Sequence, residues 1–292
     1  MKKSRSYILI LLLSIVVYSC TKEYSLENGG NINTDGLIVG TDCRISKIDS
    51  HDSASGVALS SIIATINSRD TVTDITHIDS LGNNLLFNSM PFYAADTIFI
   101  DPDEYFIVDL ATKKIIYLHG IINSIFPPLE FNVDYLYNTA GNLVQKNYHI
   151  PGFFIDPVIV VDYTYLGGNL THMTSTDMTS SELITDADID YYTNIKPKNY
   201  MNLQPDEGDQ TDFNHFAGYT QFFNFGTKPL NAVKKMIVRY YSGNVAVDSA
   251  VSTFSTYIMS RDGYVMNVYM LGDDQPSIPA EAGKLKFSYK CK

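Results

Sequence analysis

The 292-residue chain has no tryptophan, only three cysteines, and fewer basic than acidic residues. Each shortage excludes something. Sugar-stacking platforms lean on indole rings, so the lack of Trp weighs against a glycan surface, although 21 Tyr and 15 Phe could still stack on sugars or anchor a peptide. With 21 Lys and Arg against 32 Asp and Glu, the balance argues against nucleic acid and anionic lipid surfaces as partners. No apolar run after residue 20 approaches the roughly 20 residues of a membrane helix. The six histidines (His51, His77, His119, His149, His172, His215) never fall at the close spacing of a helical metal motif. There is no G-x-S-x-G elbow, no P-loop and no dinucleotide glycine run. No cofactor is expected. The catalytic alternative is a secreted hydrolase using a carboxylate pair, because such pairs have no fixed spacing.

What is there begins with a leader. Lys2, Lys3 and Arg5 precede an apolar run from Tyr7 to Val17 broken only by Ser14. This pattern reads as a signal peptide over residues 1–19, too short for a durable membrane span. Val17-Tyr18-Ser19-Cys20 resembles a bacterial lipobox, with Tyr18 and Val17 departing from the usual residues. That resemblance implies cleavage before Cys20 and a diacylated Cys20, the two chains that stable anchoring needs. An ordinary signal peptide is the alternative. Loss of residues 1–19 removes three bases and no acids, leaving 18 basic against 32 acidic residues, a net −14. Cys43 and Cys291 then remain, an even number in an oxidising compartment and expected to pair. Two unrelated free thiols are the other possibility.

From Cys20 to residue 41 the chain is rich in Gly, Asn and Thr and reads as a flexible tether, with an r.m.s. reach of roughly 25 Å. Residues 42–292 read as a single β-rich domain, with a weak subdivision near 127. In Lys284–Cys291, Leu285, Phe287, Tyr289 and Cys291 share one face and Lys284, Lys286, Ser288 and Lys290 the other, the period-two pattern of a half-buried strand. Asp262-Gly263, between Val251–Ile258 and Tyr264–Leu271, is expected as a two-residue hairpin turn. VDYLYNTAGNL at 133–143 and VDYTYLGGNL at 161–170 repeat one device, an aromatic-faced strand and a Gly-Asn turn. Looser echoes lie at Val238–Val245 and Asp79–Leu86. Ser53–Asn67 is expected to turn to strand from Ile62. Asn214–Phe223 could hold a helical turn or two. Thr185–Asp212, polar, Asp-rich and broken by Pro, reads as a long loop. The fold class is therefore all-β and mainly antiparallel, a strongly curved sheet or open barrel of consecutive hairpins.

The Y-x-Y…G-N-L units, the lipobox Cys20, the Tyr257–Val268 hairpin and the closing Gly283–Cys291 strand together resemble Bacteroidetes-type lipoproteins of unknown function with a porin-like β fold, over roughly residues 115–292. The resemblance implies an outer-membrane lipoprotein, periplasm-facing or on the cell surface, and transfers no catalytic residue. The expected role is a non-catalytic binding or structural module held to the membrane by its lipid, with a glycan, nutrient or protein as partner. Tyr135, Tyr137, Tyr163 and Tyr165 are the candidate ligand-binding residues if they are exposed. Two acidic stretches are weaker candidates. Asp186-Ala187-Asp188-Ile189-Asp190 starts like a calcium loop but lacks its glycine and distal glutamate. Asp206, Asp209 and Asp212 could supply some calcium oxygens, with a solvated acidic loop as the plainer reading.

Overall fold

The computed structural model describes residues 33–34, 39–122, 128–208, 215–273 and 283–292. The leader, Cys20, most of the tether, Asp209 and Asp212 lie outside the described residues. Eighteen strands are described. They are β1 (Asn33–Thr34), β2 (Arg44–Asp52), β3 (Ala58–Ile66), β4 (Val72–Asp79), β5 (Asn84–Ser89), β6 (Phe92–Ala94), β7 (Thr97–Asp101), β8 (Glu104–Val108) and β9 (Ile115–Ile122). Then follow β10 (Leu129–Tyr137), β11 (Leu143–His149), β12 (Ile159–Leu166), β13 (Asn169–Asp177), β14 (Glu182–Tyr191), β15 (Val233–Ser242), β16 (Val245–Met259), β17 (Val265–Gly272) and β18 (Gly283–Lys290). A 3-10 helix, His215–Gln221, lies where a helical turn was expected.

The strands form one antiparallel sheet that curls on itself. Ladders join each strand to the next from β6 to β18, and β18 pairs with β2, with Phe287 opposite Ile48. They continue from β2 to β5. The sheet is not closed, and β5 and β6, neighbours in the strand order, are separated in the chain by Met90-Pro91. β18 can run antiparallel to β2 only if β5 and β6 run the same way. Proline has no N–H to donate, which suits it to such a break. Strands β9 and β10 pair across residues 123–127, Phe131 opposite Gly120, and Ile32–Lys292 forms one compact unit.

Four turns share one three-residue design. The first residue of each accepts a backbone N–H from the last, at Asn67/Thr71, Asp79/Asn83, Asn138/Asn142 and Ser260/Tyr264. The residue before the last takes positive φ: Asp70, Gly82, Gly141 and Gly263. Asp262-Gly263 is therefore part of a three-residue loop, not the two-residue turn expected, because only Gly263 adopts positive φ. Gly167-Gly168 and Gly243-Asn244 are the two-residue turns, with positive φ at both positions. The repeated sequence is thus a repeated hairpin closed by two different turns.

The reading of Thr185–Asp212 as a loop is corrected at its start, since Glu182–Tyr191 is a ten-residue strand. Its aspartates alternate with buried Ala187 and Ile189, so the acids mark one face of a strand. The described residues of the rest of the connection, 192–208 and 215–232, turn inward. Tyr200 packs against Tyr257 of β16 and Phe287 of β18, Phe225 against Phe106 of β8 and Tyr135 of β10, and Asn224 O accepts Ile115 N–H of β9. A segment that touches strands so far apart around the ring lies inside it. Ile195, Met201, Leu203, Phe216 and Phe222 of this plug are buried. The wall is apolar inward, with Ile45, Ile62, Phe131 and Val133 fully buried, and charged outward, with Asp162, Asp188, Arg239, Lys284 and Lys286.

The ends of the ring differ. Cys43 and Cys291 form a disulfide at the end where the chain enters, closing a separation of 248 residues. Gly40 packs against that bridge, and Asp262 accepts the N–H groups of Val39 and Gly40. The opposite end carries Phe153, Phe154 and Ile155, all exposed, in the β11–β12 loop.

Candidate functional site

A cavity of about 480 Å³ lies at the disulfide end, between the plug and the start of β2. Arg44, Lys228, Asn199, Tyr200, Phe222 and Pro229 are among its walls. The plug's own hydrogen bonds shape it. Gln221 bonds to the backbone of Asn202 in both directions, at 2.9 and 2.5 Å, and Asn199 donates to Cys43 O. Arg44 donates to Phe222 O at 2.6 Å and to Asp70 at 3.1 and 3.3 Å, and Lys292 lies 3.3 Å from the same carboxylate. Lys228 has no hydrogen bond or carboxylate partner among the described residues. Desolvation, and then the positive field of Arg44, lower its pKa to about 8.

Deeper in the ring sits a second charged group. Glu207 of the plug accepts from Lys146 Nζ at 2.6 Å, Tyr148 at 2.5 Å, Tyr163 at 2.6 Å, and Gln204. Burial pushes its pKa up, but Lys146 and these donors outweigh burial and hold the carboxyl below its ordinary value. All four donors belong to the wall or plug, and Glu207 has few lone pairs left for a ligand. The geometry is a lock between plug and wall, with Lys146 and Glu207 both buried.

The four tyrosines point inward. Tyr135 and Tyr163 are buried against the plug, and Tyr137 and Tyr165 are half-buried, Tyr137 donating to Ile115 O at 2.6 Å. No exposed platform exists at these positions, and the repeat is architectural. Of the calcium candidates, Asp206 accepts from Tyr240 at 2.9 Å and from Gly208 N–H. Asp206 and Glu207 therefore both have protein partners and are not free solvated acids.

The architecture has known counterparts. The fold is porin-like. A porin-like protein from Bacteroides uniformis superposes with a TM-score of 0.55 at 12% identity, covering 84% of this chain and 96% of that one. One from Bacteroides vulgatus gives 0.50 at 12% identity, covering 85% and 99%. At such identity the likeness shows the fold alone. No protein-family model matches the chain, and no curated protein matches it.

On the outer face of this porin-like ring, His172, Asp186 and Asp188 come together from β13 and β14. Arg239 of β15 already lies 3.1 Å from Asp186 and 2.8 Å from Asp188, so a protein cation already bridges the two carboxylates. Sequence spacing missed this cluster because its members meet across strands. It missed the cavity for the same reason, since Arg44 and Lys228 are lone cations on a strand start and in a connection.

Proposed function

We propose that the chain is a lipid-anchored envelope protein whose porin-like body acts as a non-catalytic binding module outside the bilayer. The observation that carries this is the chemistry of the faces. A membrane-spanning barrel turns apolar residues out and polar residues in. This ring does the reverse, with its interior filled by the plug. Each Lys or Arg facing lipid near the midplane costs about 2–4 kcal/mol, and Lys235, Arg239, Lys284 and Lys286 all face outward. A filled ring of this kind offers recesses at its ends for binding, and the lipobox at Cys20 supplies the anchor.

The test has two arms. Cells fed an alkynyl fatty acid are expected to label the wild-type protein and not a Cys20→Ala variant. The purified protein added to planar bilayers is expected to give no stepwise conductance. Labelling that survives Cys20→Ala, or conductance steps, would overturn the reading.

One observation favours a second reading, partner docking at the end away from the disulfide. Phe153 and Phe154 protrude there in one short loop, and Leu81, Val245 and Val247 are exposed on loops and strand starts of the same end. Photo-crosslinking from position 154 in cells is expected to give a defined adduct; a smear no different from an Asp103 control counts against docking.

A further inference from the structure

We infer that the cavity at the disulfide end binds a small organic anion, a carboxylate or phosphate monoester with a ring or short apolar body, whose charged head meets Lys228 on the Arg44 side of the cavity. This rests on the binding-module reading only for the role of the site; the cavity's chemistry stands by itself.

Three observations converge. The volume, about 480 Å³, falls in the range of pockets that enclose small ligands, roughly 300–1,000 Å³. The walls divide between rings (Tyr200, Phe222, Phe223) and polar groups, the mix such pockets use to hold a body and orient a head. The charge is lopsided. Arg44 has its guanidinium occupied by Asp70 and Phe222 O, yet it contributes a positive field, and Lys292 beyond Asp70 offsets that carboxylate. Lys228 alone presents an uncommitted head. A half-buried ammonium without a partner is a cost to the fold, and an incoming anion removes that cost. Glu207, a buried acid of the plug, is held by four donors of its own and does not serve Lys228.

The titratable groups that line the cavity with Lys228 are Arg44 from β2 and Tyr200 from the plug, with Asp70 of the β3–β4 loop paired to Arg44 and Lys292 of the C-terminus paired to Asp70. Desolvation and the field of Arg44 lower the Lys228 pKa to about 8. Its ammonium is lost as pH rises through about 8, and anion affinity falls with it.

The experiment uses the full chain in detergent and calorimetry with three probes of one shape: phenylacetate, phenyl phosphate and neutral phenylacetamide. The anions are expected to bind saturably, at least tenfold tighter than the amide. Lys228→Met is expected to lose that tenfold advantage and Lys228→Arg to keep it. Inorganic phosphate as competitor tests the shared head: displacement of both anions supports one head site, and displacement of phenyl phosphate alone would put the two anions at different sites and overturn it. Equal binding of amide and anions, unchanged anion affinity in Lys228→Met, or no saturable binding below about 10 mM overturns the proposal. Should Lys228→Met fail to fold, the wild-type anion-to-amide ratio between pH 6 and 9 decides: a ratio that falls through pH 8 supports the site, and a flat one overturns it.

Discussion

Glu207 and Lys146 stand 61 residues apart in sequence and share a 2.6 Å contact in the interior. Removing one member of a buried ion pair leaves the other charged and unpaired, at about 3–5 kcal/mol, whereas an apolar pair of similar volume is often neutral. Glu207→Gln is therefore expected to lower stability by about 3 kcal/mol or more, and Glu207→Leu with Lys146→Met to recover most of the loss. Chemical denaturation of the wild type and these two variants measures it. A loss no larger for the single variant than for the double would mean the pair does not lock the plug. The same logic separates Tyr163 from a ligand platform: its hydroxyl is spent on Glu207, and Tyr163→Phe is expected to weaken stability without touching the cavity at the disulfide end.

At the scale of elements, the hairpins close by local chemistry. Asn138 Oδ1 accepts the N–H groups of Ala140 and Asn142, each at 3.0 Å, while Gly141 takes φ +87°. Asn138→Ala removes both bonds from an exposed turn and is expected to cost about 1 kcal/mol. Gly226 is a harder constraint, because it seats the plug on this turn. A Cβ there would lie 2.8 Å from Gly141 O and 2.9 Å from the Tyr137 ring, at φ +100°. Gly226→Ala should therefore cost more than Asn138→Ala and alter the cavity, which Gly226 helps to line. Thermal melts of both variants give the order, and a milder Gly226→Ala would show that the plug can lift off the turn. The Met90-Pro91 junction between β5 and β6 is the other notable element. Phe92 and Met90 are exposed beside an apolar recess of about 540 Å³ lined by Phe99, Ile100 and Pro102, and nothing among the described residues covers them.

For the whole molecule, the ring is tied where its first long strand meets its last. On the chain-entropy account, a bridge closing so long a loop contributes about 5 kcal/mol. Cys43→Ser is expected to lower the melting temperature and to make wild type and variant alike under reducing conditions. Stability should also form a plateau in pH. Burial lowers the His77 pKa from 6.5 to about 4, so the unfolded chain binds more protons in that window and stability falls as pH drops through it. Glu207 and Asp262, both held below their ordinary values, add losses further down. On the basic side, Tyr135, Tyr148, Tyr163, Tyr200 and Tyr257 are raised well above 10.0 by burial. The unfolded chain loses those protons first, so stability falls above pH 10. Urea midpoints across the range check both flanks, and a stability still rising beyond pH 10 would contradict the buried tyrosines.

Alternation and turn chemistry are local, and they were legible. Leu285 and Phe287 against Lys284 and Lys286, or Gly167-Gly168 between two strands, declare face and turn within a few residues. That is why the all-β class and the hairpin repeat could be read without coordinates. Even Asp186, Asp188 and Asp190 carry the strand period, beneath a polarity that resembles a loop. The pairing of Cys43 with Cys291 followed from counting. The plug was not legible. Residues 192–232 have no period in sequence, and the described ones, 192–208 and 215–232, are positioned by Phe106, Tyr135, Tyr257 and Arg44, contributed by strands that meet only once the ring has curled. The sequence by itself thus determined the strands, their faces and their turns, because those depend on neighbours along the chain. Only the tertiary structure decided that the ring is filled, that Glu207 is a lock, and that Lys228 and Arg44 share one cavity, because each depends on groups brought together by closure across distant parts of the chain.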